Sequence, residues 1–238
     1  GKVGFCQYLI MKELEDKTLF IHCNNYKDKF TKFSLYSKKK HEIRMRYGIG
    51  DRDLMVLFIG RLVPVKGVDK LISAMPHVLK ELPNAKLVVV GLGDMYEELK
   101  RQVDSLGLAE AVKFRTEFIS EEERIAHYAA CDVAVFPSFY EPFGIVALEA
   151  MSMAKPVVVG ASGTSGFKEI VIADGARQCG FHVDPSDPAG IAKGIIELTK
   201  NPERKVWYGE NGRRRALEFT WEAAARRTIE IYEELLKK

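Results

Sequence analysis

In a chain of 238 residues, 36 Lys and Arg stand against 33 Asp and Glu, a balance that argues against a nucleic-acid-binding surface or an acidic tail. The hydrophobic share of 47% can bury a substantial core, and Cys6, Cys23, Cys131 and Cys179 show no C-x-x-C and no histidine at ligand spacing, which argues against a zinc site or a disulfide framework. No signal peptide and no apolar run of membrane-spanning length is present, so the expectation is a cytoplasmic protein with free thiols and no transmembrane segment.

Residues 1–49 read as a lead-in of uncertain relation to the rest: a helical pattern over Tyr8–Glu15, an apolar stretch Thr18–Cys23, and a charged helical segment Lys38–Tyr47 closed by Gly48. Asp51-Arg52-Asp53 has the form of a sugar-transferase metal motif. It precedes a strand instead of following one, and reads as surface loop.

From residue 50 to 238 the chain alternates strand and helix. Strands are expected at Leu54–Ile59, Leu87–Val90, Val112–Phe114, Val133–Phe136, Val157–Val159 and Phe181–Val183. Helices are expected at Val68–Glu81, Asp94–Ser105, Ser120–Ala130 and Ile145–Met153. This alternation predicts an α/β fold, a Rossmann-like doubly wound parallel sheet with helices on both faces. Continuously apolar runs such as Val88-Val89-Val90 fit strands covered on both sides.

Asp94-x-x-Glu97 and Ser120-x-x-Glu123 read as capping boxes, and Asp187-Pro188 as an N-cap followed by proline at the first helical position. From about residue 220, Thr220 caps a final helix with an apolar stripe of Trp221, Ala225, Ile229, Tyr232 and Leu236. The basic runs Lys38-Lys39-Lys40 and Arg213-Arg214-Arg215 read as solvated helix faces. His127 reads as an exposed or partly packed side chain.

Three loops at strand ends carry candidate chemistry. Gly60-Arg61-Leu62-Val63-Pro64-Val65-Lys66-Gly67 sets two cations ahead of a helix, where they could neutralise a diphosphate without a metal. Gly91-Leu92-Gly93 lacks the third glycine of a dinucleotide fingerprint, because Tyr96 stands in its place. Glu141-Pro142-Phe143-Gly144-Ile145-Val146-Ala147-Leu148-Glu149 puts one carboxylate before a helix and one inside it, with Glu149 about 7 Å along the axis from Gly144. The helix N-terminus between them favours an anion. Two hydroxyl acceptors flanking an anion site describe a nucleotide-sugar.

Gly60-Arg61-Leu62-x3-Lys66-Gly67, Pro137-Ser138 leading to Glu141-Pro142-Phe143-Gly144-x4-Glu149-Ala150-Met151, and Pro156-Val157-Val158-Val159 together resemble the carboxyl-terminal half of GT-B retaining glycosyltransferases. The likeness is to family 4 and the glycogen synthases, over roughly residues 50–238. It implies a hexosyltransferase domain that binds a nucleotide-sugar donor of the UDP- or ADP-glucose type and passes the sugar to a sugar or glucan acceptor. No metal and no cofactor are implied.

Carried over, Arg61 and Lys66 hold the diphosphate and Glu149 the ribose hydroxyls. Glu141 is the catalytic carboxylate meeting the sugar, with the backbone N–H groups after Phe143, at Gly144 and Ile145, contacting sugar or phosphate. The family's amino-terminal acceptor domain, about 150–200 residues, is expected from a separate chain or a longer protein. The alternative is a non-catalytic nucleotide-sugar-binding module working with a partner subunit. A phosphorylase-like enzyme using pyridoxal phosphate has no supporting motif. The chain departs from the family in Ile21-His22-Cys23-Asn24-Asn25-Tyr26, a poor match to the usual junction. It departs again in Gly163-Thr164-Ser165-Gly166-Phe167-Lys168-Glu169, an expanded form of a Gly-Gly-x-x-Glu loop.

Overall fold

The structure is a computed structural model that describes residues 37–163 and 165–236. The Tyr8–Glu15 helix and the Thr18–Cys23 stretch lie outside the described residues, as do Cys6 and Cys23.

Among the described residues the first element is helix α1 (Ser37–Arg46), and strand β1 (Leu54–Ile59) follows. A single 3-10 turn at Pro64–Lys66 leads into α2 (Val68–Glu81), β2 (Ala85–Val90), α3 (Tyr96–Ser105) and β3 (Val112–Arg115). The chain continues through α4 (Glu121–Ala130), β4 (Val133–Phe136), α5 (Ile145–Ser152), β5 (Val157–Gly160), α6 (Phe167–Ile170) and β6 (Gly180–Val183). It ends in α7 (Pro188–Thr199), α8 (Pro202–Ala216) and α9 (Trp221–Leu236).

The strands pair in parallel in the order β3-β2-β1-β4-β5-β6, the doubly wound Rossmann arrangement that the alternation predicts. Two helical layers cover it: α2 packs against α3 and α7, while α4 packs against α1 and α5. Right-handed crossovers require this split, because the chain moves outward from β1 to β3 and then returns to β4 on the other side. Burial follows, with Val56, Leu57, Val88, Val89, Val135 and Val158 all fully enclosed.

Several local readings change in the folded chain. The α3 N-cap is Met95 without a side-chain hydrogen bond, so the expected Asp94 capping box does not form. Tertiary contact sets that start instead: the Met95 N–H donates to the Leu62 carbonyl at 3.2 Å, tying the loop after β2 to the loop after β1. At Ser120 only half of the expected capping box forms: its hydroxyl accepts from the Glu123 N–H, while the Glu123 carboxylate pairs with Arg46 and Arg115. The Asp187 cap forms as expected, accepting from the Ala189 N–H. Thr220 caps α9 by accepting from the Ala223 N–H at 3.1 Å.

His127 is fully buried, not exposed or partly packed. Its Nε2 lies 2.8 Å from the Tyr47 hydroxyl and its Nδ1 2.7 Å from the Glu123 carbonyl oxygen, so the ring is enclosed between α1 and α4. Arg215 is also no solvated face. It donates to the Ile170 and Glu169 carbonyls and lies over the Phe219 ring.

From Ser37 onward the lead-in joins the core, with Ile43, Tyr47 and Ile49 buried. Arg44, 3% exposed, donates to the carbonyls of Ala130, Gly50 and Asp53 and to Asp132 Oδ2. One guanidinium therefore fastens α1 to the end of α4 and to the entry of β1.

Candidate active site at the β1–β4 switch point

β1 pairs with both β2 and β4, so the connections beyond its carboxyl end and that of β4 depart in opposite directions and leave a crevice between them. The loops that line this crevice are residues 60–67 and 137–144. They are clamped together: Phe139 N–H donates to the Val65 carbonyl at 2.9 Å. Gly67 adopts φ 65°, and a Cβ there would meet the Pro137 carbonyl oxygen at 2.2 Å. Only glycine satisfies both the left-handed backbone and that approach.

The clamp brings two of the candidate residues into contact. Lys66 Nζ lies 2.6 Å from Glu141 Oε2, with the two side chains 20% and 13% exposed. Arg61, on the same loop as Lys66, is exposed and makes no ion pair or hydrogen bond with the described residues. The crevice thus carries one compensated cation and one open cation.

Phe143 and Gly144 turn the chain into α5. Gly144 is the N-cap at φ 102°, and a Cβ there would run into the Phe167 ring at 2.5 Å. With glycine as cap, no side chain of the cap residue hydrogen-bonds to the helix start. The first N–H groups of a helix, here those of Ile145 and Val146, have no intrahelical carbonyl to bond, and a helix start of this kind favours negative charge. The loop's back is fixed by the expanded turn after β5: Gly166 N–H donates to the Glu141 carbonyl at 2.8 Å, and the Ser165 hydroxyl to the Gly160 carbonyl at 2.9 Å.

Glu149 sits farther along α5 and is only 5% exposed. Its Oε2 accepts from the Tyr128 hydroxyl at 2.9 Å and its Oε1 lies 3.2 Å from an Arg124 nitrogen, both partners coming from α4. Burial first, then the Glu149 charge and hydrogen bond, push the Tyr128 hydroxyl well above the usual tyrosine range. It therefore stays a donor. Sequence reading missed both α4 residues. Their i,i+4 spacing puts them on one helix face, but nothing in the spacing names a partner on another helix.

Asp51 and Asp53 lie at the other end of β1, where Asp53 Oδ2 accepts from the Gly50 N–H at 2.8 Å. Six strand residues, about 20 Å, separate them from the crevice. Among the described residues no cluster of His, Cys, Asp and Glu could hold a metal ion, and no helix is long and apolar enough to cross a membrane.

Residues 39–215 match the family model described as glycosyl transferases group 1. The chain belongs to that family. One relative of this group 1 chain is a GDP-mannose-dependent α-(1-6)-phosphatidylinositol monomannoside mannosyltransferase of Mycolicibacterium smegmatis, 39% identical over 197 residues, which cover 79% of this chain and 50% of that protein. HepE of Anabaena in complex with UDP-glucose superimposes with a TM-score of 0.70 at 26% identity, covering 85% of this chain and 55% of that one. The carboxyl-terminal domain of the group 1 glycosyl transferase LpcC from Francisella tularensis gives a TM-score of 0.62 at 26% identity, covering 69% of this chain and 84% of that domain. The chain spans about half the length of the curated relatives it matches. It corresponds to the carboxyl-terminal domain of a GT-B glycosyltransferase.

Proposed function

We propose that this chain is the donor-binding domain of a retaining hexosyltransferase, holding a nucleoside-diphosphate hexose in the crevice between the loops after β1 and β4. The observation that carries the reading is the grouping of Arg61, the Lys66–Glu141 pair and the uncapped start of α5 around one crevice. Arg61, Lys66 and the α5 N–H groups supply positive charge for a diphosphate, whose charge grows as it leaves. Glu141, next to the phosphate-binding lysine, orients the hexose and stabilises positive charge developing at its anomeric carbon. Phe143 and Gly144 shape the turn, and the Gly144 and Ile145 N–H groups meet the sugar or the phosphate. Glu149 takes the ribose hydroxyls.

The donor class is supported by the relatives: one is a GDP-mannose-dependent enzyme and another was solved with UDP-glucose, and both ligands are hexoses on nucleoside diphosphates. We assign UDP- or ADP-glucose as first choice, a sugar or glucan as acceptor, and the cytoplasm as location, where the unpaired thiols of Cys131 and Cys179 fit the redox poise. The acceptor half is a further domain on the amino-terminal side or in a partner subunit. The exposed Ile229, Tyr232, Leu235 and Leu236 of α9 support such a partner, since an apolar stripe of this kind is usually covered.

Titration with UDP-, ADP- and GDP-hexoses tests the donor site, and transfer with the amino-terminal domain supplied tests the activity, with the anomeric configuration of the product read by NMR. Tight binding of one donor and a retained configuration are expected. No binding of any nucleotide-sugar would refute the assignment. Donor binding without transfer by the complete protein would favour a non-catalytic binding module.

A further inference from the structure

Glu149 is a carboxylate with almost no solvent, and such a group is tolerated only where donors replace the lost water. The donors come from a different helix. Tyr128, itself fully buried, donates to Oε2 at 2.9 Å, and Arg124 lies 3.2 Å from Oε1. Residues 124 and 128 are one turn apart on α4 and so present these groups from a single face.

The terminal torsion of a glutamate is broad, so an unrestrained carboxylate samples many orientations. Holding one oxygen by a hydroxyl and the other by a guanidinium removes that freedom. A carboxylate has about four acceptor positions over its two oxygens, so donors from α4 on both oxygens fix the plane and the directions in which the group accepts. A vicinal diol needs such a fixed pair of acceptors, because each hydroxyl must find its lone pair at once.

We propose that Tyr128 and Arg124 are positioning residues that lock the Glu149 carboxylate in the orientation that reads the two ribose hydroxyls of the donor. This inference rests on the nucleotide-sugar reading of the preceding subsection. It adds that ribose recognition depends on α4, a helix with no place in the signature motif. Neither residue needs to touch the ligand. Their effect passes through Glu149, and therefore depends on the hydroxyls being present.

The test is a calorimetric titration of the 238-residue chain with UDP and GDP, each beside its 2′,3′-dideoxy counterpart, for the wild type, Tyr128→Phe, Arg124→Ala and Glu149→Gln. The readout is the ratio of ribo to dideoxy affinity, since a general change in charge at the diphosphate shifts both members and leaves the ratio alone. The wild type is expected to prefer the ribo form by about tenfold or more, in line with two hydroxyls bonded to a charged acceptor. Tyr128→Phe and Arg124→Ala should each reduce that ratio by about threefold or more, and Glu149→Gln should bring it close to one. Tyr128→Phe added to Glu149→Gln should change it no further. Should Tyr128→Phe fail to fold, Arg124→Ala, at a partly exposed side chain, decides the matter alone. A ratio unchanged in folded Arg124→Ala and Tyr128→Phe, or a wild type indifferent to the hydroxyls, would overturn this inference while leaving the donor site standing. A wild type that binds none of these nucleotides would overturn the donor reading as well.

Discussion

Lys66 Nζ and Glu141 Oε2 lie 2.6 Å apart although 75 residues separate them in the chain. In the absence of ligand each neutralises the other, so a diphosphate arriving at Lys66 must compete with a carboxylate. Glu141→Gln removes the competitor. Its affinity for a free nucleoside diphosphate should stay level or rise by up to about tenfold, while affinity for the intact nucleotide-sugar falls relative to it. Paired titrations of UDP and UDP-glucose check this. Equal losses for both ligands would contradict a division of labour between sugar and phosphate.

Arg61→Ala should weaken nucleoside-diphosphate binding by about 1–3 kcal/mol, the range for a charge-assisted hydrogen bond. The melting temperature should barely move, because Arg61 is exposed and bonds to none of the described residues. Raising the salt should narrow the gap between wild type and variant. Wild-type affinity in the variant would remove Arg61 from the phosphate site.

Donor binding should survive EDTA. The proposed anion site uses Arg61, Lys66 and the start of α5 and needs no metal, and the Asp51-Arg52-Asp53 motif stands at the opposite end of β1. A titration repeated after chelation checks this, and a strict requirement for Mg²⁺ or Mn²⁺ would contradict it.

Stability should fall as the pH drops below neutrality, partly through His127. Burial holds this imidazole below its ordinary value of 6.5, against the raising effects of the Glu123 carbonyl and carboxylate. The unfolded chain therefore binds more protons than the folded one from about pH 6.5 downward, and the His127 contribution is complete above that value and lost as pH falls towards the folded pKa. His182, lowered by burial, acts in the same window. Asp132 acts in a lower one: burial pushes it up, but Lys205, the Met55 N–H and Arg44 together hold it below its ordinary 3.8, so its contribution is lost only in acid. Urea denaturation between about pH 5 and pH 8 should show the first loss, and His127→Gln should flatten the curve. An unchanged slope in that variant would argue against the buried imidazole as a source.

Arg44→Ala should cost about 3–5 kcal/mol, as removing one partner of a buried ion pair does. It strips the donor from three carbonyls and from Asp132 at once. Chemical denaturation measures this directly. A loss below about 1 kcal/mol would mean that α1 is not fastened to the body as the hydrogen bonds indicate.

The sequence by itself determined the sheet, its helices and the motifs at its edge. Leu54–Ile59, Val68–Glu81 and Val133–Phe136 are readable to the residue, because a both-faces-buried strand must be continuously apolar and a surface helix must repeat its apolar face. The placing of Arg61, Lys66 and Glu141 on loops at strand ends, and of Glu149 inside the helix that follows, is legible for the same reason, as it depends only on local position. Tertiary structure decided which of these meet. Lys66 contacts Glu141 because β1 and β4 are neighbours in the sheet, an order no local spacing encodes, and because Gly67 lets their loops touch. Glu149 is enclosed because α4 lands beside α5, and His127 is buried because α1 packs over it. Periodicity records which side of an element avoids water. What that side meets is set by the packing of the whole chain.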